Sequence, residues 1–468
     1  MKKVIPFVLV IVLLVSVGLV LAEGNNLPGS GWKSGQQAQN VGSASAKVVM
    51  TAYEQNGTSH DCGEKTIAAG ASATFLTDSD CTTVSAGFIG SAVLSADQAI
   101  AAIVNVNNRG TGAAAGQYQG TDGVDVADTI SFPLVKNNHS GRTTTFYVQN
   151  ASTSPNNMTA TFTVNGTPYS KTYNNVPANA MVIINPSDAS VPAGQGNVGS
   201  LEVKGSQPLA GSSLEHQTTA AVGQNLQASK AFVAADGATD VYCPLYRNAH
   251  TKKNQTTGAQ VQNVSGSSVT VKFTVNAGGN TYGPYERTIA AGASETFYAP
   301  ELTSPTIPAG TVGSATIEST GNVVAVVNDA GTDNGVQRKT TYACFGGGGT
   351  TVNVPLAKEF AGGNTTGVQV QNVGNADTKV ALEYKATNGA SIKIESKAMV
   401  APGQSITAYG VSSPSSEWQV LSSSGSMGGT VNGVVITAAE PVVAIANESS
   451  ANPNASGQDT KNYEGFSQ

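Results

Sequence analysis

Charged residues are scarce in this 468-residue chain, where Asp, Glu, Lys and Arg make up 12% of the sequence against a usual share of roughly 25%. Lys and Arg number 24 against 30 Asp and Glu, which gives a formal net charge of −6, and no run of basic residues occurs. Nucleic-acid binding requires clustered Lys and Arg to neutralise phosphates, so the composition argues against that class. A hydrophobic content of 40% excludes a charge-rich disordered protein.

Residues that commonly carry chemistry are also few. Aromatic residues make up 6%, with Trp32 and Trp418 as the two tryptophans. Each of the four histidines is predicted to lie in a polar loop, and none belongs to a His-x-x-x-His or Cys-x-x-Cys pattern of metal ligands. Neither a Gly-x-Ser-x-Gly elbow nor a phosphate-binding loop occurs. We therefore expect a protein that is not an enzyme and has no organic cofactor. The histidines are His60, His139, His216 and His250.

One long apolar run is present, and it lies at the N-terminus. Met1-Lys2-Lys3 supplies positive charge, Val4 to Leu21 is almost entirely apolar, and Val20-Leu21-Ala22 offers small residues for a signal peptidase. This order is typical of a secretory signal peptide, with cleavage predicted after Ala22. An uncleaved membrane anchor is the alternative, because the run approaches the length of a membrane span. We expect an extracellular protein with no membrane span in its mature chain.

The main signal in the sequence is an internal repeat. Val-Gln-Asn recurs with its Gln at positions 149, 262 and 371, and Ala38-Gln39-Asn40 is a weaker first copy; the four Gln residues lie 110, 113 and 109 positions apart. A turn follows each Gln by 30–32 residues, and a pair of small residues follows it by 50–57, the fourth pair being Gly428-Gly429. The later copies open alike with Pro-Leu, and a basic residue lies three positions after each Pro: Lys136, Arg247 and Lys358.

Within each repeat the hydrophobic period is two. In Val269–Val275 apolar residues alternate with polar ones, which places Val269, Val271, Phe273 and Val275 on one face of a strand. Turn residues punctuate the chain every 8–12 positions, as in an all-β sandwich. We predict four tandem Ig-like β-sandwich domains in series, a rod of roughly 120 Å. The predicted divisions are a signal peptide at 1–22 and units one to four at 23–120, 121–238, 239–347 and 348–468.

The four cysteines suggest two disulfides in an exported protein. Three pairings are possible on paper, and the repeat favours Cys62–Cys81 and Cys243–Cys344. The second pair requires the last segment of unit three to return beside the first strand of that unit, which a closing hairpin would allow. Four free buried thiols are the alternative.

The repeat resembles one found in secreted bacterial surface proteins, which runs from a Pro-Leu strand through Val-Gln-Asn and a Gly-Ser turn to a Tyr-x-Gly close. Here the close is Tyr118-Gln119-Gly120 and Tyr463-Glu464-Gly465, with Tyr342 to Gly346 in unit three and Ala235-Asp236-Gly237, without Tyr, in unit two. The resemblance implies Ig-like or fibronectin-like sandwiches at the cell surface. It implies no activity and assigns no functional residue.

Acidic residues gather where one unit joins the next. Carboxylates with loop carbonyls suit Ca²⁺, which takes six to eight oxygen ligands, so we consider calcium at these junctions. Asp is also simply common in turns, and the spacing matches no EF-hand loop. The Gln-Asn pair of each repeat has a structural interpretation too, because Asn at a strand end can hold a turn through backbone hydrogen bonds. The junction residues are Asp122, Asp125, Asp128, Asp236, Asp240, Asp329 and Asp333.

These features predict a non-enzymatic structural or adhesive protein of the cell surface. Its partners would be further copies of itself or other surface components, and open edge strands could polymerise it into a filament or surface layer by strand addition. The final segment, Asn462 to Gln468, repeats the close of a unit and could dock onto the next subunit. A carbohydrate-binding sandwich is the alternative, although aromatic platforms for glycans are few.

Overall fold

The computed structural model describes residues 27–29, 31–108, 114–123, 126–217, 226–251, 254–333, 336–450 and 461–467, and for residues 12–15, 333, 336, 337 and 450 the backbone alone. The protein is all-β, as predicted, and belongs to the β-sandwich class. Its helices are short: Thr77–Asp80 is α-helical, and Pro186–Ala189, Ala234–Asp236 and Ala299–Glu301 are 3-10 helices. Among the described residues, no helix has the length and apolar character to span a membrane.

Unit one consists of two sheets around a buried cluster that includes Val48, Phe75 and Leu94. Its strands are β1 (Val12–Val15), β2 (Trp32–Asn40), β3 (Ala46–Glu54), β4 (Ser59–Ile67), β5 (Ser72–Leu76), β6 (Gly90–Ala96), β7 (Ile100–Asn108), β8 (Ala115–Gln119) and β9 (Thr121–Asp122). The strand orders are β4-β3-β6-β1-β9 and β5-β2-β7-β8. Strand β1 belongs to the predicted signal peptide; the rest of that segment, 1–11 and 16–22, lies outside the described residues.

Unit two has the same strand arrangement, but one long strand joins its two sheets. Its strands are β10 (Ala127–Lys136), β11 (Arg142–Asn150), β12 (Asn156–Val164), β13 (Thr167–Val176), β14 (Met181–Ile184), β15 (Val198–Gln217), β16 (Gln227–Lys230) and β17 (Phe232–Val233). The first half of β15 pairs with β10 and β12, and its second half pairs with β11 and β16. One 20-residue strand therefore serves both layers, whereas unit one divides the same stretch into β6 and β7.

Unit three has the same arrangement around the 23-residue strand β23. Its strands are β18 (Ala238–Asn248), β19 (Thr256–Asn263), β20 (Val269–Ala277), β21 (Asn280–Ile289), β22 (Ser294–Tyr298), β23 (Thr311–Asp333) and β24 (Val336–Ala343). The predicted alternation on β20 is confirmed: Val269, Val271, Phe273 and Val275 are buried, while Lys272 faces out. Full burial of each such side chain stabilises the fold by about 1.5–3 kcal/mol.

Unit four uses the 21-residue strand β31 in this role and adds one edge strand, β30. Its strands are β25 (Gly349–Glu359), β26 (Asn364–Asn372), β27 (Val380–Ala386), β28 (Ser391–Ser396), β29 (Ser405–Tyr409), β30 (Trp418–Ser424), β31 (Thr430–Ser450), β32 (Lys461–Glu464) and β33 (Phe466–Ser467). The register places Gly433 opposite Lys385, as Ser314 lies opposite Asn276. The fourth small-residue mark is therefore Gly433, and its prediction at Gly428-Gly429 was wrong.

Both predicted disulfides are present. Cys62 is bonded to Cys81, and Cys243 to Cys344 across 101 positions of sequence. The segment after β24 returns to the opening strand of unit three, where Tyr242 pairs with Phe345 beside the second disulfide. The same return occurs in the other units, since β17 pairs with β10, β33 with β25, and β9 with β1. Strand β1 thus takes the place in unit one that the Pro-Leu strands take elsewhere.

The Gln-Asn pair has the structural role that was predicted for it. The Asn263 side chain donates to the carbonyls of Ser267 and Ile289 and accepts the Ser265 N–H, and Asn40, Asn150 and Asn372 make equivalent bonds. The preceding Gln donates to the carbonyl of the following turn in every unit, as Gln262 does to Gly292. These buried amides satisfy backbone groups where each strand ends.

The four units are arranged around a common axis and not in a row. Strand β8 contacts β16, β16 contacts β24, β24 contacts β32, and β32 contacts β8 again. Neighbouring units also meet at their small-residue marks, where Ser200 donates to the Gly292 carbonyl at 2.6 Å and Ser314 donates to the Gly403 carbonyl at 2.5 Å. Between units four and one, Ser72 donates to the Pro355 carbonyl at 2.9 Å. The predicted rod is therefore wrong, because the first and last units touch.

Candidate functional site

The four strands that surround this axis, β8, β16, β24 and β32, are the closing strands of the four units, and we call them the axial strands. Registers against the long strands align them: Ser229 lies opposite Ser213 as Tyr342 lies opposite Val327. The close of unit two is therefore Ser229-Lys230-Ala231, and its prediction at Ala235-Asp236-Gly237 was wrong. The residue x of the Tyr-x-Gly close is then Gln119, Lys230, Ala343 and Glu464 in units one to four.

These four residues line one cavity at an end of the axis, of about 450 Å³, which we call the axial pocket. Each unit contributes to its wall, so the pocket exists only because the units close into a ring. The size lies within the range of small-molecule sites. The remaining lining comes from the segments that follow axial strands β16, β24 and β32, among them Phe232, Asp236, Phe345, Gly347 and Ser467.

Lys230 and Asp236 form one wall of the axial pocket. The Lys230 ammonium lies 3.3 Å from a carboxylate oxygen of Asp236, whose other oxygen accepts the Val233 N–H at 2.8 Å. Asp236 belongs to a 3-10 helix directly after β17, and the bond to Val233 closes that turn. The two oxygens of this carboxylate are therefore occupied, one by the Val233 N–H and the other by the Lys230 ammonium.

Glu464 is the most buried ionisable group of the pocket, with 2% of its surface exposed. Its Oε1 accepts the backbone N–H of Ala343 from the neighbouring axial strand. Its Oε2 is also buried and has no hydrogen-bond partner among the described residues. Burial raises the pKa of this carboxyl, and the backbone N–H groups of Ala343, Glu464 and Gln119 together with the positive charge of Lys230 oppose that rise. A buried carboxylate oxygen without a partner is costly and is rare in folded proteins.

A second set of buried charges recurs in units two to four. The basic residue three positions after each Pro contacts an acid on the long strand: Lys136 with Glu215 at 3.0 Å, Arg247 with Asp329 at 2.6 Å, and Lys358 with Glu448 at 2.9 Å. In each case the backbone N–H of the basic residue donates to a Thr hydroxyl, and that Thr is opposite the acid across the sheet. In unit one Val106 holds the position of the acid, opposite Ser34.

Among these three acids, Glu215 has the most charged side chains around it. Arg142 contacts Oε1 of this carboxylate, and Asn328 of the next unit lies 3.4 Å from Oε2. Although burial alone would raise it, the pKa of Glu215 is lowered to about 2 by Lys136, Arg142 and Lys339. The pKa of Lys339 is lowered to about 8, chiefly by burial and then by Arg142. This network spans the contact between units two and three.

The junction acids predicted to hold calcium do not come together. Asp329 is paired with Arg247 and Asp236 with Lys230, while the exposed Asp128 and Asp240 each accept a hydrogen bond from the hydroxyl of a neighbouring Thr. Asp122 lies on β9, Asp125 falls outside the described residues, and of Asp333 only the backbone is described. Within the described ranges, no group of three or more His, Cys, Asp or Glu side chains could hold a metal ion.

The histidine prediction was partly wrong. His139 and His250 occupy equivalent loops, as their shared register indicated, but His60 lies on β4 and His216 lies buried on β15. The His216 Nε2 lies 3.1 Å from the Thr145 hydroxyl, and burial lowers the pKa of this imidazole. Sequence reasoning also missed Glu464, although it is the middle residue of the quoted Tyr-Glu-Gly, and it missed Glu215 and Glu448, which lie late in the longest strands.

Comparison with known proteins identifies no family. No family model matches the chain, and no curated protein matches it. Solved structures show partial likeness: the Anabaena sensory rhodopsin transducer (21% identity, 19% of this chain and 92% of that chain, TM-score 0.17), Thermotoga maritima 1070 (15%, 24% and 95%, 0.20) and a tetra-tandem repeat from the extending region of a large adhesion protein (12%, 96% and 97%, 0.12). At these TM-scores, none of them carries an argument about this chain.

Proposed function

We propose that this chain is a secreted, non-enzymatic structural protein of the cell surface, built from four Ig-like β-sandwich units. The observation that carries the proposal is the ring of axial strands, which joins all four units into one body. The two disulfides support an oxidising, extracellular location. The low content of Lys and Arg supports a surface that offers few sites to trypsin-like proteases.

The mode of self-association that the geometry favours is edge-strand addition in unit four. Strand β30 ends its sheet and is an extra edge strand, since the corresponding sheets of units two and three end at β13 and β21. Val420 and Leu421 on β30 are 50% and 49% exposed. An edge strand with exposed apolar residues is a template for pairing with another chain. The final segment is not free for this purpose, since β32 and β33 pair with β31 and β25 of their own chain.

Electron microscopy and sedimentation of the purified chain test this proposal. We expect concentration-dependent oligomers that the Leu421→Lys substitution abolishes, because an edge lysine opposes strand addition. Thr387→Lys is the matched control, since it adds the same charge to unit four at an exposed turn position outside β30. A strictly monomeric protein at high concentration would refute self-association. Recovery of the native protein only from the cell interior would refute the surface location.

A carbohydrate-binding role is the second candidate, and one cavity favours it. The space between units three and four, about 400 Å³, is lined by Arg247, His250, Gln369, Thr407 and Tyr409. Tyr409 is 51% exposed, and an exposed aromatic ring beside amide and hydroxyl groups suits a sugar. Glycan-array binding that is lost in Tyr409→Ala would support this function, and an array without signal would remove it.

A further inference from the structure

The four sides of the axial pocket differ chemically, although the repeat would allow them to be alike. Four equivalent positions meet there, and they carry an amide, an ammonium, a methyl group and a carboxyl: Gln119, Lys230, Ala343 and Glu464. Residues that only pack four strands around an axis could be alike in all four units. Four different residues instead give the pocket one acidic side, at Glu464, and one neutralised side, at the Lys230–Asp236 ion pair.

The charges that line the pocket do not balance. Lys230 and Asp236 cancel, so Glu464 leaves one negative charge among the lining residues in its ionised form, which a bound cation would favour. Its Oε2 is buried without a hydrogen-bond partner in the described part of the chain, although Oε1 is bonded to the Ala343 N–H. A ligand that donates a charge-assisted hydrogen bond to Oε2 would remove both the unpaired charge and the unsatisfied acceptor.

The kind of cation follows from the donors present. The described residues gather no three carboxylate, imidazole or thiol groups for a metal, whereas an ammonium needs only a few oxygen acceptors. The lining also includes the glycine-rich backbone at Gly346 and Gly347 and the aromatic residues Phe232 and Phe345. A cavity of about 450 Å³ holds far more than a single ion.

We propose that the axial pocket binds a small molecule carrying a primary ammonium group, which donates to Oε2 of Glu464. The site is independent of the proposed surface function, because it requires only the closed ring. The proposal gives a binding role to Glu464, the middle residue of the Tyr-x-Gly close in unit four. Ala343, at the equivalent position in unit three, supplies the backbone N–H that holds the Glu464 carboxyl.

Titration of the ¹⁵N-labelled full chain with propylammonium chloride tests the proposal, with sodium propionate and 1-propanol as probes of similar size. We expect saturable shifts of the Gln119 and Ala343 amide signals with propylammonium alone. Glu464→Gln should weaken this binding at least tenfold, because the amide keeps an oxygen for the Ala343 N–H but loses the charge. Glu301→Gln, at an exposed glutamate remote in sequence, should leave it unchanged.

A second variant keeps the test decisive if Glu464→Gln fails to fold. A Cβ placed on Gly347 would meet no atom within 4 Å, so Gly347→Leu should fold and fill the pocket while Glu464 stays intact. We expect this variant to lose propylammonium binding. Saturable binding that survives in Gly347→Leu, preferential binding of propionate, or no binding of propylammonium to the native chain would each overturn the proposal.

Discussion

The phenol oxygen of Tyr342 donates to the carbonyl of Leu245 at 2.6 Å and accepts the N–H of the same residue at 3.1 Å. Tyr463 does the same with Leu356, at 2.5 and 2.9 Å. In both units the ladder of the opening strand is interrupted at Pro-Leu, between Cys243 and Tyr246 and between Val354 and Ala357. The Tyr therefore satisfies backbone groups that the bulge leaves unpaired, which explains why Pro-Leu and Tyr-x-Gly occur in the same repeat.

Removal of this hydroxyl should destabilise unit three. Tyr342→Phe leaves both the N–H and the carbonyl of Leu245 buried without a partner, at a cost of about 1–3 kcal/mol for each unsatisfied group. We expect a lower urea midpoint and faster hydrogen exchange at the Leu245 amide. Tyr298→Phe, at a ring that is 39% exposed, is the control and should change stability by less than about 0.5 kcal/mol. Unchanged exchange at Leu245 would contradict the role of the hydroxyl.

The carboxylate of Glu215 should hold units two and three together. Glu215→Gln leaves Lys136 and Arg142 buried without their anion, which costs about 3–5 kcal/mol in comparable buried pairs. The folded pKa of about 2 lies below the ordinary value of 4.5, so the unfolded chain binds this proton more readily. The stabilisation is therefore present above pH 4.5 and is lost as the pH falls toward 2. Acid unfolding of native chain and variant measures it, and identical pH profiles would contradict it.

His216 should add a pH dependence in a higher range. Its pKa is lowered by burial, so the unfolded chain gains a proton near the ordinary value of 6.5 while the folded chain stays neutral. Stability should be complete above pH 6.5 and should fall as the pH drops below it. The His216→Gln substitution keeps a polar contact for Thr145 and should flatten the melting temperature between pH 7 and pH 5. The same change at His139, which lies in a loop, should have a smaller effect.

The two disulfides should differ in what they contribute. In the chain-entropy treatment, the 101-residue separation of Cys243 and Cys344 gives roughly 4–5 kcal/mol, and the 19-residue separation of Cys62 and Cys81 gives roughly 3 kcal/mol. Replacing Cys243 and Cys344 with Ser should therefore lower stability more than replacing the other pair. Denaturant unfolding of the two double variants measures the order, and the reverse order would show that strain or residual structure outweighs chain entropy.

Sequence patterns predicted the structural features that depend on residues close together in the chain. Alternation on β20 gave its buried face, the turn residues gave strand ends, and Asn263 was correctly given a structural role. The ring could not be predicted in this way, because a tandem repeat has the same local patterns in a row as around an axis. Contact between axial strands depends on residues such as Gly116, whose missing side chain leaves room for Ala228 of the next unit. Glu464 was missed for the same reason, since its partner lies 121 positions away.

The closed ring predicts a compact particle in solution. A single compact body of 468 residues has a radius of gyration of about 23 Å, whereas a thin rod of roughly 120 Å would give about 35 Å. Small-angle scattering should give a value near the smaller figure for the native chain. Gly116→Leu should raise it, because a Cβ at this position would lie 3.0 Å from the Ala228 side chain and wedge β8 from β16.

Gly266→Leu is the matched control for this wedge, since a Cβ there would meet no atom within 4 Å. We expect Gly266→Leu to scatter like the native chain. Native scattering near the rod value would contradict the contact between units one and four. An unchanged radius in Gly116→Leu, with the variant still folded, would mean that the remaining contacts, such as Ser200 to Gly292 and Ser314 to Gly403, close the ring without β8 and β16.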